Sequence, residues 1–168
     1  MAEHHIDGEK KCNHIKEKRK MSMNYVDKAE SYFNNNFNCC QAVFTTFATE
    51  LGVDEELALK IATQFGGGAR KGEMCGAVSG ALMVLGLKYG HYHAQDNEEK
   101  TRAYRIAEDF MERFVAEKGT VVCRELLGYD VSKESDKIKI KELDLFKTVC
   151  PEMIRCATAI VEQMLKEY

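Results

Sequence analysis

The 168-residue chain has no tryptophan and only one proline, Pro151. Such scarcity of helix breakers fits a helical protein better than a turn-rich β fold. Long apolar runs are also missing. The longest, Ala77 to Leu87, is too short to span a bilayer and contains Gly80 and Gly86, so no membrane insertion is expected. Positive charge is not in excess: 24 basic and 27 acidic residues leave a net charge of −3 and no electrostatic case for nucleic acid. No apolar signal core follows Met1, and a cytoplasmic location is expected. Neither a Cys-x-x-Cys pair nor zinc-finger Cys/His spacing occurs, which removes support for zinc ribbons and thioredoxin-type sites. No Ser/His/Asp order or carboxylate pair stands apart from the helical surface charge.

What the chain does have is seven cysteines, 45% apolar residues and 30% charged residues. This length favours one domain able to bury a core without disulfide staples. In a reducing compartment, seven cysteines point to metal binding or redox work. Residues 1–22, with Lys10, Lys11, Lys16, Lys18, Arg19 and Lys20, read as a basic mobile tail, in which Cys12 and His14 are incidental. Residues 23–168 read as an all-α bundle of about six to seven helices.

The first helix carries Tyr25, Val26, Ala29, Tyr32 and Phe33 at three- and four-residue steps and ends in Asn34-Asn35-Asn36. Asn38 and Gln41 form a capping-box pattern that opens the second, which Gly52 closes; Asp54 caps a third, ending near Phe65. A glycine-rich loop, Gly66 to Glu73, precedes a central helix of small residues from Cys75 to Tyr89. The loop lacks the Gly-Lys-Ser/Thr ending and the preceding strand of a phosphate loop, so no nucleotide is expected. Gly76 and Gly80 share one face, where either another backbone or a bound group approaches closely.

Residues 95–118 form a long amphipathic helix with Tyr104, Ala107, Phe110, Met111, Phe114 and Val115 inward. Thr120 is expected to cap a short helix through Leu127, and residues 129–146 read as a surface connection. Pro151 suits the first turn of the last helix, which continues to Leu165. His91 and His93 read as surface residues.

Four cysteines fall at expected helix starts: Cys39, Cys75, Cys123 and Cys150. A helix start favours the thiolate, but by only about 0.3 to 1 kcal/mol. Lowering a thiol from about 8.5 to about 7 takes roughly 2 kcal/mol. If the four thiols converge, they are therefore stable either on a metal or as disulfide pairs. Arg70, Lys71 and Arg124 add positive potential near Cys75 and Cys123 or are simply solvated. Cys40 points about 100° from Cys39, and Cys156 reads as core filler.

The motifs Asn38-Cys39-Cys40-Gln41-Ala42-Val43, Phe65-Gly66-Gly67-Gly68, Cys75-Gly76-Ala77-Val78-Ser79-Gly80, Cys123-Arg124-Glu125-Leu126-Leu127-Gly128 and Cys150-Pro151 occur in order. Together they resemble the C_GCAxxG_C_C family of redox-active proteins. The family pattern falls on Cys39, Cys75, Cys123 and Cys150, leaving Cys12, Cys40 and Cys156 as extras. The central motif here has the form CGAxxG rather than the GCA order of the label. The resemblance implies a small helical redox protein. A more distant similarity to the cysteine-bearing domain of split-Soret cytochromes implies an iron–sulfur centre, whereas no haem carries over because Cys-x-x-Cys-His is missing.

Three readings follow. The first is electron transfer or thiol/disulfide cycling, with the four cysteines holding an iron–sulfur cluster or pairing as disulfides. Gly67, Gly68, Gly76 and Gly80 would then give the cluster or a redox partner access. The second is a zinc-binding module on the same four cysteines. The third is a thiol enzyme reducing a peroxide or disulfide, with Cys75 as the attacking thiolate. The small-residue face could alternatively serve a homodimer.

Overall fold

A computed structural model describes residues 24–168. The expected tail of residues 1–22, with Cys12 and His14, lies outside them. The described chain is all-α: α1 (Tyr25–Asn34), α2 (Cys39–Ala48), α3 (Glu55–Ala62), α4 (Gly76–Tyr89), α5 (Asn97–Lys118), α6 (Cys123–Leu127), α7 (Glu134–Glu142), α8 (Leu145–Thr148) and α9 (Cys150–Glu167). Among the described residues the sole extended pairing is an isolated antiparallel bridge between Met74 and Val122.

Every residue of α2 is buried, because its Cys-Cys-Gln-Ala-Val-Phe-Thr-Thr-Phe-Ala run has no charged face to present to water. Helices α1, α3, α4 and α9 pack around it, and α5 closes the bundle against α4 and α9. Phe44, Phe47, Val78, Val84, Phe110, Ile154 and Met164 fill the shared core.

The second helix starts as its sequence specifies. Asn38 accepts from the backbone N–H of Cys40 and Gln41, and the Gln41 side chain accepts from Asn38 N–H at 2.9 Å, completing the capping box. The same residues reach sideways: Asn38 Nδ2 donates to Thr63 O at 2.9 Å, and Gln41 Nε2 donates to Leu59 O at 3.0 Å and Thr63 Oγ1 at 2.9 Å. These bonds fasten the start of α2 to the end of α3. Asp54 caps α3 through Leu57 N–H at 3.0 Å.

Helix α4 lies against α2 at its glycines. A Cβ on Gly80 would stand 2.8 Å from Cys40 O, and one on Gly76 would stand 3.1 Å from Cys40 N. The shared glycine face is thus occupied by the α2 backbone.

One expectation gains detail and two need correction. The surface connection expected over residues 129–146 contains helix, α7 and the start of α8, which the sequence did not specify; only Ile140 of α7 is buried, so its periodicity is faint. The inward stripe of α5 is Ile106, Phe110 and Phe114, while Tyr104 and Val115 are exposed. Thr120 is not the cap of α6: that position is Val122, whose N–H donates to Thr120 Oγ1 at 3.2 Å.

The crossing of α2 and α4 makes two glycines of one helix respond oppositely. Gly80→Ala is expected to destabilise the protein by about 1–3 kcal/mol, since the added methyl meets a carbonyl that cannot move away. Gly86→Ala meets nothing within 4 Å and should stabilise by about 0.5–1 kcal/mol. Chemical denaturation of the two variants checks both signs.

Candidate functional site

All four cysteines expected at helix starts are found there. Cys39, Cys123 and Cys150 open α2, α6 and α9, and Cys75 is the N-cap residue of α4. The bundle turns these four starts toward one another, and all four cysteines line a single cavity of about 520 Å³. Their residual exposures are 8% for Cys39, 5% for Cys75, 6% for Cys123 and 8% for Cys150, so the thiols lie well below the surface. The six cysteines within the described residues are free thiols.

Cys75 and Cys123 are brought together by backbone bonds around the Met74–Val122 bridge. Cys75 N–H donates to Val121 O at 2.8 Å, and Cys123 N–H donates to Glu73 O at 2.6 Å. Next to them the backbone is strained. Gly67, Gly68, Ala69 and Arg70 have φ of 62°, 60°, 51° and 63°, a left-handed turn that non-glycine residues adopt at a cost of about 1–2 kcal/mol each. A bond from Glu73 N–H to Gly68 O at 3.2 Å closes this turn.

The candidate glycines differ in role. Gly67 lines the cavity, Gly76 both lines it and meets the α2 backbone, and Gly68 and Gly80 lie against backbone away from the lining: a Cβ on Gly68 would stand 2.4 Å from Glu73 N. Arg70 lines the cavity, whereas Arg124 pairs with Glu73 at 2.6 Å. Cys40 is fully buried, with its thiol 3.6 Å from Met83 Sδ, and Cys156 is half-buried and packs against the core.

Several lining residues carried no signal in the sequence. Phe33 and Phe37 come from the end of α1 and the loop after it, Leu126 from α6, Phe146 from α8 and Met153 from α9. Phe146 was the least accessible to sequence reasoning, since it lies in a segment without a clear apolar period and is 43% exposed.

Burial opposes ionisation of the thiols. It pushes Cys75 up to about 11, even though the backbone N–H groups of Ala77 and Val78 point at the sulfur and pull the other way. Those two N–H groups fall short of a full capping hydrogen bond. Cys123 is pushed to about 12, first by burial and then by the charges of Cys75 and Cys150, with Arg70 offsetting part of the effect. Cys39 and Cys150 act on one another: their side-chain interaction holds Cys150 below its ordinary value and, with burial, Cys39 well above it. In the metal-free state these effects favour ionisation at Cys150 over Cys75.

The donor set is chemically suited to soft metals: four thiols with no carboxylate or imidazole lining the cavity. A single tetrahedral zinc, with Zn–S of about 2.3 Å, draws its sulfurs to about 3.8 Å of one another. Among the described residues no three His, Cys, Asp or Glu side chains are gathered closely enough to hold one metal ion. A cluster spreads four thiolates over several iron atoms and tolerates a wider ring of donors. A sulfur-only lining is ligand chemistry that cysteinyl clusters and thiolate zinc sites have in common.

Residues 37–164 match the family described as "Putative redox-active protein (C_GCAxxG_C_C)". No curated protein and no solved structure matches the chain.

The buried thiols also predict an alkaline weakness of the reduced, metal-free protein. Cys75 is neutral in the fold up to about pH 11 but ionises near 9 when unfolded, so its contribution is complete below pH 9 and lost as pH rises toward 11. The loss should be about 3 kcal/mol. Urea unfolding at pH 8 and at pH 11 should show this drop, and Cys75→Ser should reduce it.

Proposed function

The chain belongs to the C_GCAxxG_C_C family of redox-active proteins, and from that premise we propose that Cys39, Cys75, Cys123 and Cys150 hold an iron–sulfur cluster for electron transfer. The observation that carries this reading is the convergence of four thiols, each from a different helix start, on one cavity. A bound cluster supplies one-electron redox chemistry at iron.

The chain's own residues have separate tasks in this reading. The four sulfurs are the ligands, and their attachment to α2, α4, α6 and α9 fixes them on rigid elements rather than on a loose loop. Without a counter-charge, burial keeps Cys75 and Cys123 protonated at neutral pH. Metal ligation removes those protons, so loading should be accompanied by proton release. The Ala77 and Val78 N–H groups point at the Cys75 sulfur and favour its thiolate, and N–H donors near cluster sulfurs raise a cluster's potential. The apolar walls limit water at the ligands, while the mouth near Phe33, Phe37 and Phe146 leaves an approach for a redox partner.

A specific contact favours a second reading, thiol/disulfide cycling. Cys39 and Cys150 line the same cavity and interact through their side chains, which lowers the pKa of Cys150 and raises that of Cys39. Reaction with an external disulfide would join their sulfurs and reduce that disulfide to two thiols, so the two electrons and two protons balance. A lone zinc ion has less support, because the donors are not gathered around one point.

Anaerobic reconstitution with ferrous iron and sulfide separates these readings. The expected product is brown protein containing iron and labile sulfide. Serine replacement of Cys39, Cys75, Cys123 or Cys150 should each abolish or strongly reduce the colour, while Cys40→Ser and Cys156→Ser should keep it. Colourless protein that forms a Cys39–Cys150 disulfide on mild oxidation would replace the cluster with the dithiol reading. Stoichiometric zinc without iron binding would count against both.

A further inference from the structure

The cavity that gathers the thiols is electrically one-sided. Its charged lining residues are Arg70 and Lys147, and no carboxylate lines it, although the chain has 27 acidic residues against 24 basic ones. Lys147 is 80% exposed and lies 3.3 Å from Asp144, so solvent and its partner spend much of its field. Of the acids nearest Arg70's loop, Glu73 binds Arg124, while Asp130 accepts from the N–H and hydroxyl of Ser132 and keeps its negative charge just outside the lining. Arg70 has no carboxylate partner among the described residues.

The backbone holds Arg70 in place. It ends the left-handed turn at φ 63°, and a Cβ on Gly67 would lie 3.3 Å from Arg70 Nη1. The missing side chain at Gly67 is therefore what lets the guanidinium fold back along the cavity wall. Arg70 is itself exposed, so its guanidinium stands at the cavity's edge, within reach of both solvent and a ligand inside. The same cavity is lined by the apolar side chains of Phe33, Phe37, Phe146 and Met153. In addition, α4 and α9 begin at this cavity without side-chain caps, so their starts add positive potential.

We propose that this cavity binds a small organic anion, with its carboxylate on Arg70 and its apolar, preferably aromatic body against Phe33, Phe37 and Phe146. The inference rests on the redox reading only in placing that ligand beside an electron-transferring centre. Its preference for an anion comes from Arg70, whatever the four thiols hold. An aromatic body matches the phenylalanine side chains, and the cavity of about 520 Å³ is shared between such a ligand and whatever the four thiols hold.

The test is calorimetric titration of the full chain with phenylacetate and with its neutral isostere phenylacetamide. Both the reduced metal-free protein and the iron-reconstituted protein are used. Phenylacetate should bind about tenfold more tightly than the amide, the scale of one hydrogen bond to a charged group. Arg70→Gln should bring the two affinities within about twofold of each other, with the melting temperature little changed. Arg70→Gly relieves the left-handed backbone while removing the same guanidinium, and it should lose the preference equally. Equal affinities in the parent protein, no binding of either compound, or a preference that survives both substitutions would overturn the proposal. Colourless protein with an Arg70-dependent preference sinks the cluster and leaves this site standing. Brown protein without the preference does the reverse.

Discussion

The site depends on how closely α2 and α4 approach one another. At Gly76 and Gly80 the α4 backbone lies where a methyl group would strike the α2 backbone at Cys40. That contact sets the register between the two helices, and the register places Cys39 and Cys75 at the same end of the bundle. A Cβ on Gly76 would stand 3.3 Å from the Cys39 Cβ, so the crossing point and the first two thiols are almost one location. The other contacts extend this arrangement. The Met74–Val122 bridge brings Cys123 to Cys75, and α9 packs on both α2 and α4, which presents Cys150.

Much of the bundle could be read in the sequence because its local signals agree with its tertiary contacts. Asn38, Asp54, Gly119 and Pro151 mark helix boundaries by chemistry that acts within a few residues, and the structure uses each in that way. Failures occurred where burial was decided by distant partners. The α5 stripe includes Ile106 rather than Tyr104 because its orientation is fixed by α4 and α9, which the sequence of α5 alone does not encode. Helices α7 and α8 escaped notice because their short segments bury too little for a period to show.

The candidate site was legible in part for a similar reason. A cysteine at a helix start is a local pattern, and four of them separated Cys39, Cys75, Cys123 and Cys150 from the rest. Their convergence is a tertiary property, as are the aromatic wall and the approach of Arg70. The four glycines show the limit most clearly. In the sequence, Gly67, Gly68, Gly76 and Gly80 are equivalent candidates; in the fold, Gly67 opens onto the cavity, Gly68 and Gly80 admit neighbouring backbone, and Gly76 does both. Composition cannot separate those roles, because both require only that a side chain be missing.

Helix starts and burial pull on these thiols in opposite directions, and burial prevails. A helix terminus offers about 0.3 to 1 kcal/mol toward the thiolate. Moving Cys75 from 9.0 to about 11 represents about 3 kcal/mol the other way, after the favourable Ala77 and Val78 contributions have acted. An isolated dithiol enzyme would therefore have buried its nucleophiles at a disadvantage, except at the Cys39–Cys150 pair. For a group that brings positive charge, the same burial is useful: it keeps water from the ligands, and uncapped N–H groups remain near the sulfurs. The strained Gly67–Arg70 turn belongs to this arrangement through the backbone. Gly68 O binds Glu73 N–H, and Glu73 O binds Cys123 N–H, so the turn that carries Arg70 and the segment that carries Cys123 are joined through one residue. A change that relaxes the turn must alter the position of a thiol as well as that of the guanidinium, which gives a physical reason for the fold to maintain a backbone conformation that costs energy.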